Sequence, residues 1–310
     1  MDQHVFIASS TFAREDKRPL DILTEQSFKV AHNLTGKRLE AAELIRQAAG
    51  ADAVIAGLEI YDARVLEALP RLKCISRCGV GVDNIDLAAA KERGVRIYNT
   101  PDVVIQPVAE ITLAMIFDLL RRLTFHTELM RCGKWERLMG MELKGSVVGV
   151  VGLGRIGRRV AELLRRLEAD VWGYDIAPDH VWAKVMGVKI VTYDELLKGA
   201  DILTLHLALD GANPFCLGAE AFGKMKAGAL LVNVARGMLV DEIALASALS
   251  SGHIAAAALD VYAREPYQGP LCGLPNVVLT PHVGTLTQGA RAAMEMAAAH
   301  NVRQFFLNNV

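Results

Sequence analysis

Two doubly wound α/β lobes, each a parallel sheet with helices on both faces, are predicted by three features of the sequence. Short β-branched runs alternate with helical patterns throughout, at residues 5–7, 53–55, 74–76, 147–151, 171–172, 202–205, 230–234 and 277–279. That alternation builds buried parallel sheets. One of the runs feeds a glycine turn that opens a helix directly. Finally, 310 residues exceed the usual span of one hydrophobic core, so two compact bodies are the default.

The elements follow in order. Strand runs 5–7, 53–55 and 74–76 are separated by residues 41–49 and 64–69, whose apolar positions recur at helical spacing, so the first hundred residues form a small lobe. A break comes at Asn99-Thr100-Pro101-Asp102, where proline fixes the backbone and Asp102 is suited to cap a helix. Residues 103–123 then read as one long apolar helix whose few charges are Glu110, Asp118, Arg121 and Arg122. Such a helix is expected to be buried nearly all round, between the lobes or against a second copy of the chain. A last helix is expected over residues 287–307.

Composition excludes several classes. Lys plus Arg (34) and Asp plus Glu (35) nearly cancel, which argues against a polyanionic partner such as nucleic acid. The apolar fraction of 52% comes in short runs, none near the roughly 18 residues of a membrane span. No basic leader with a cleavage site opens the chain, so a cytoplasmic address is expected. Five cysteines without a Cys-x-x-Cys pair predict reduced thiols and no metal site.

The run from Val147 to Val151 leads into Gly152-Leu153-Gly154-Arg155-Ile156-Gly157, and a helical pattern covers residues 158–167. Strand, glycine turn and helix in this order make a dinucleotide fingerprint. Gly152 allows the tight turn, Gly154 lets backbone N–H groups reach a pyrophosphate, and Gly157 allows the helix to pack closely on the strand. The next strand ends at Asp175, an acid suited to the adenine ribose hydroxyls and hostile to a 2′-phosphate, so NAD is expected over NADP.

Three later segments also end predicted strands, where ligands bind in doubly wound sheets. They are Asn233-Val234-Ala235-Arg236-Gly237, Leu259-Asp260 with Tyr262-Ala263-Arg264-Glu265-Pro266, and Thr280-Pro281-His282-Val283-Gly284. Singly, each has an ordinary reading: Arg236 a surface ion pair, Glu265 a capping acid, His282 a loop histidine.

Taken together, their order and wording resemble the D-2-hydroxyacid dehydrogenase family, especially its D-3-phosphoglycerate dehydrogenase-like members. The resemblance also takes in residues 56–59, Arg77-Cys78-Gly79-Val80-Gly81 with Asp83-Asn84-Ile85-Asp86, Asn99-Thr100-Pro101 and Val108-Ala109-Glu110. It implies a Rossmann NAD lobe over residues 101–284 and a flavodoxin-like substrate or lid lobe made of residues 1–100 and 285–310. It implies Arg236, Glu265 and His282 as catalytic residues, and a small 2-hydroxy/2-oxo acid as substrate. Residue chemistry agrees, since reducing a 2-oxo acid needs a proton donor near neutral pH, a carboxylate to orient it, and a planar fork for the substrate's oxygens.

By the same resemblance Arg155, Ile156, Ala235, Asp260 and Gly284 join the cofactor site, with Asp260 contacting the nicotinamide amide. His206 fits either that groove or a packed strand-end histidine. The backbone N–H groups around Gly79, Val80 and Gly81 resemble a second clamp on the substrate carboxylate. Asp241 is expected to cap the helix over residues 242–249.

For the substrate, 3-phosphoglycerate leads: Arg77 and Arg137 stand where related enzymes keep basic residues near a phosphate, Arg137 reaching across a homodimer interface. Lys134 and Arg137 also fit a solvated helix end. Gly57 and Ile60, where those enzymes carry Arg and Thr, with Glu59 between them and Val80 in the glycine loop, lean away from phosphate. Glyoxylate or hydroxypyruvate reduction is the alternative within enzymes, and an NAD-sensing binding protein on this fold is the alternative outside them. No C-terminal regulatory domain is expected after the last helix.

Overall fold

A computed structural model describes residues 3–26, 28–208 and 215–308. They pack as two units, residues 1–104 with 286–310, and residues 105–285.

In the smaller unit five strands, β1 (His4–Ile7), β2 (Lys29–His32), β3 (Ala53–Ala56), β4 (Cys74–Arg77) and β5 (Arg96–Tyr98), form a parallel sheet in the order β2-β1-β3-β4-β5. This is the flavodoxin-like order. Central β3 is buried along its whole length, which explains why it is a continuous apolar run. Edge strand β2 is half exposed and β5 has three residues, and neither was legible in the sequence because edge strands bury too little to show a clear pattern.

Chain-terminal helix Gln288–Leu307 belongs to this unit because its apolar side completes the small core. Ala298, Ala299, Val302, Phe305 and Phe306 pack with Val5, Ile7, Ile55 and Cys74. Ser76 Oγ donates to the Ala298 carbonyl at 3.0 Å, an approach that the small alanines permit. Nearly buried Glu295 accepts the Ala13 N–H at 2.9 Å and Arg291 at 2.7 Å, tying the helix to the loop after β1. Burial pushes its carboxyl above the usual carboxylate range.

Seven strands make the larger unit's sheet: β6 (Val147–Val151), β7 (Asp170–Tyr174), β8 (Lys189–Ile190), β9 (Ile202–Leu205), β10 (Ala229–Asn233), β11 (Ile254–Leu259) and β12 (Val277–Leu279). All pair parallel, in the order β12-β11-β10-β9-β6-β7-β8. This is the Rossmann order with one strand added, and it switches direction between β6 and β9. Strand β11 reads Ile-Ala-Ala-Ala-Ala-Leu, so its interior lacks the β-branched signal that marks its neighbours.

The helix expected over residues 103–123 is two helices, Ile105–Arg121 and Leu123–Arg131, separated by Arg122 in a left-handed conformation (φ 53°). Neither is buried all round. The first leaves Glu110, Ala114 and Phe117 exposed, and no residue of the second is buried. Asp241 caps Glu242–Ser250 by accepting the Ile243 and Ala244 N–H groups, both at 3.0 Å. Among the described residues, no helix is long and apolar enough to cross a membrane.

Candidate functional site

The large sheet aligns its functional segments on one line. Register pairs Tyr174 with Val151, Val151 with Leu205, Leu205 with Asn233, Asn233 with Leu259, and Leu259 with Leu279. Six strands therefore release their chains at one level, neighbours about 4.8 Å apart. From that line emerge Asp175, the glycine turn, His206, Arg236, Asp260 with Glu265, and His282. Segments far apart in sequence become adjacent because parallel strands all end on the same side.

The glycine turn lies beside the switch point. Gly152 has φ 91°, a conformation that favours glycine, and a Cβ on Gly157 would overlap the Gly152 carbonyl oxygen. Gly154, the N-cap of helix Arg155–Arg166, has no side chain to satisfy the first turn, and a Cβ there would meet nothing within 4 Å. Among the described residues the Ile156 and Gly157 N–H groups have no protein acceptor, and the helix N-terminus adds partial positive charge, so the turn suits a pyrophosphate.

Asp175 closes the turn by accepting Leu153 N–H at 2.6 Å and Ala177 N–H at 2.9 Å. Each oxygen keeps acceptor capacity for a ribose hydroxyl. His206 stands next to the turn, its Cβ 3.3 Å from where a Gly157 Cβ would be. Its Nε2 lies 2.9 Å from Thr204 Oγ1, while among the described residues its buried Nδ1 has no partner. Burial lowers its pKa to about 3. The open helix terminus, the acid on the turn and the orphaned nitrogen fit a dinucleotide.

Arg236, Glu265 and His282 come from three adjacent strand ends. The Arg236 carbonyl accepts from Asn233 Nδ2 at 2.8 Å, and its guanidinium donates to the Ala235 carbonyl at 2.7 Å. Gly237 next to it presses on the Tyr262–Ala263 peptide so closely that any Cβ would overlap it, which locks the Arg236 loop to the loop carrying Glu265.

His282 Nδ1 lies 3.1 and 3.0 Å from the two Glu265 oxygens, and among the described residues its Nε2 has no partner. The side chains are 40% and 30% exposed, so this contact adds only about 0–1 kcal/mol to stability and acts mainly to orient the ring. His282 itself has φ 54°, a conformation costing about 1–3 kcal/mol. Three hydrogen bonds from Thr280, Val283 and Gly284 to the nearly buried Asp260 carboxylate, about 1 kcal/mol each, offset that strain.

In the small unit the strand-end pair Ala56 and Arg77 sets the loops after β3 and β4 side by side. Gly79 has φ 138°; its N–H donates to Thr100 Oγ1 at 2.8 Å and its carbonyl accepts Thr100 N–H at 2.9 Å. Asn99 Nδ2 donates to the Val80 carbonyl at 2.8 Å. The Gly79 N–H, expected in an anion clamp, is therefore spent on Thr100. Among the described residues those of Val80 and Gly81 have no protein acceptor. Arg77 folds over Gly79, its guanidinium donating to the Cys78 carbonyl. Arg137 is exposed and lies past the end of helix Leu123–Arg131, so it is not a helix-end residue.

Residues 113–284 match the D-isomer specific 2-hydroxyacid dehydrogenase, NAD binding domain family. The chain belongs to that family. It is 40% identical over 265 residues to D-3-phosphoglycerate dehydrogenase of Archaeoglobus fulgidus, an alignment covering 84% of this chain and 50% of that protein. It spans only about half the length of the curated D-3-phosphoglycerate dehydrogenases of this kind. A glyoxylate reductase of Thermofilum pendens is 37% identical over 295 residues, 91% of this chain and 86% of that protein. D-lactate dehydrogenase of Aquifex aeolicus, solved with NAD and lactic acid, superposes with a TM-score of 0.87 at 25% identity, covering 99% and 96% of the two chains. As the family's NAD-binding domain, residues 113–284 contain the glycine turn, Asp175 and the three strand ends described above.

Sequence reasoning passed over Gly237, Tyr262, Thr280, Asn99 and Thr100 as working parts. Thr280 had a local signal, a hydroxyl two residues before His282. Tyr262, whose hydroxyl lies 3.0 and 2.9 Å from the Leu259 and Thr280 carbonyls, had none, because it bridges the end of its own strand to the end of the next.

Proposed function

We propose that this chain is an NAD-dependent D-2-hydroxyacid dehydrogenase acting on a small 2-hydroxy/2-oxo acid. The observation that carries the proposal is the Glu265–His282 pair on the same strand-end line as an open glycine turn and Arg236. The Ile156 and Gly157 N–H groups, with Gly152, Gly154 and Arg155, hold the pyrophosphate; Asp175 holds the adenine ribose and disfavours a 2′-phosphate; His206, Ala235, Asp260 and Gly284 line the nicotinamide end. Bound NADH supplies the hydride. His282 donates the Nε2 proton to the substrate carbonyl oxygen, turning the 2-oxo acid into the 2-hydroxy acid. Glu265 accepts the Nδ1–H and so fixes the tautomer and the orientation of the ring. Arg236 polarises the carbonyl and pairs with the carboxylate. In the small unit, Val80 and Gly81 offer N–H groups to an anion.

The substrate proposed first is 3-phosphoglycerate, on the strength of the relatives' names and of Arg77 and Arg137, the latter from a partner subunit. A second reading, an unphosphorylated acid such as glyoxylate, is favoured by Glu59, only 2% exposed in the loop beside Arg77, because a buried carboxylate repels a dianion. A cytoplasmic homodimer is part of the same proposal. Trp135 and Met139 are 82% and 88% exposed beside a groove of about 440 Å³ lined by Phe125, Leu129, Leu138 and Pro275, an apolar surface suited to a second copy.

Purified protein given NADH or NADPH and a panel of phosphorylated and plain 2-oxo acids, read by cofactor absorbance, tests the proposal. NADH-linked turnover of at least one acid is expected, and tight NAD binding with no turnover makes the chain a sensor instead. Light scattering that finds a monomer at micromolar concentration removes the dimer.

A further inference from the structure

We propose that Asp260 is a positioning residue for His282, its buried carboxylate fixing the loop that carries the imidazole. The inference rests on the catalytic role given to His282 above. Asp260 leaves β11 with its N–H bonded to the Asn233 carbonyl at 3.0 Å, and the residue is 1% exposed. Its Oδ1 accepts Thr280 Oγ1 at 2.5 Å and Val283 N–H at 2.8 Å, and its Oδ2 accepts Gly284 N–H at 2.7 Å. These donors flank His282 on both sides in sequence. Among the described residues, the His282 N–H itself reaches only the Thr280 carbonyl, at 3.0 Å.

Glu265 steers the ring about its own bonds, but the site of the His282 Cα is set by the loop, and the loop by Asp260. Three donors converge on one side chain, a task suited to an acceptor-only carboxylate. An asparagine keeps one acceptor oxygen and turns its NH₂ towards donors. Gly284 belongs to the same arrangement, since a Cβ there would be 3.0 Å from Asp260 Oδ2. Contact with the nicotinamide amide, the role that resemblance assigns to Asp260, concerns the cofactor; the loop contacts concern His282, and the two separate experimentally.

Thr280→Val removes one donor to Asp260 and leaves Asp260 intact, and Thr280→Ser restores it. If Asp260 positions His282, Thr280→Val lowers kcat about 10-fold and Asp260→Asn about 100-fold, since small misplacements of a reacting group have effects of this order. In Thr280→Val the Kd for NADH stays within about 2-fold. Thr280→Ser recovers most of the rate, and the ¹⁵N-histidine spectrum of Thr280→Val shows a displaced His282 signal. Wild-type kcat and an unmoved His282 signal in Thr280→Val overturn the proposal, most directly if Asp260→Asn weakens NADH binding. The His282 signal needs no turnover. A wild-type protein that reduces nothing therefore defeats the enzymatic reading, while the spectrum still decides whether Asp260 holds the loop.

Discussion

On the proposed function, the seven-stranded sheet brings side chains to the reacting groups and keeps backbone N–H groups for its glycine turn, while the five-stranded sheet brings backbone alone. In the large unit the carboxyl ends of β7, β6, β9, β10, β11 and β12 deliver Asp175, the glycine turn, His206, Arg236, Asp260 with Glu265, and His282. In the small unit the chain after β4 offers the Val80 and Gly81 N–H groups, shaped by Thr100 and Asn99. Directional chemistry, such as moving a proton, needs a side chain of suitable pKa held by a second group. Holding an anion needs only N–H groups pointing one way, which a clamped glycine loop provides without a charge. Substitutions in the large unit should therefore alter turnover and cofactor binding, and those in the small unit should alter KM.

His282→Asn is the largest expected break, with kcat down about 10³-fold, in the range for losing a general acid, while the NADH Kd measured by fluorescence stays near wild type. Lost NADH binding would instead put His282 in the cofactor site. Gly157→Ala comes next. Its Cβ overlaps the Gly152 carbonyl oxygen, so NADH binding by calorimetry should weaken at least about 10-fold with the fold intact by circular dichroism. Thr100→Val should raise the KM for the 2-oxo acid about 5- to 10-fold with kcat within about 2-fold, because it frees the Gly79 N–H and loosens the nest. A fall in kcat with unchanged KM would erase the contrast between the units.

The smallest effect concerns His206, whose pKa burial lowers from 6.5 to about 3. An unfolded chain binds this proton near pH 6.5 and the folded one does not, so stability contributed by the neutral ring is lost as pH falls from about 6.5 towards 3. At pH 5 the loss is about 1–2 kcal/mol, a few degrees in Tm. Thermal melts of His206→Gln between pH 7 and 5 should be flatter than those of wild type, and parallel curves would deny that the ring is buried neutral.

Legibility followed burial and locality. Interior strands β1, β3, β4, β6, β7, β9 and β10 were readable from their short apolar runs, as was the edge strand β12, whose three residues are all apolar, whereas edge strands β2, β5 and β8 are short or half exposed and β11 is mostly alanine. The glycine turn was readable because its whole mechanism lies within a few residues. Arg236, Glu265 and His282 were readable only as a set, each being unremarkable alone. The apolar stretch from Val103 predicted a single buried helix, but its composition did not reveal the left-handed break at Arg122 or the face left exposed by Phe117.

By itself the sequence determined the two doubly wound sheets, the dinucleotide turn and the identities of the chemical groups, since these depend on periodicity, glycine and residue type over short spans. Only the tertiary structure decided that Asp260 braces the His282 loop, that Thr100 occupies the Gly79 N–H, and that Gly237 locks two loops together. Those are contacts between strand ends or loops 20 to 26 residues apart in sequence, created by sheet register and backbone approach. No local pattern encodes them.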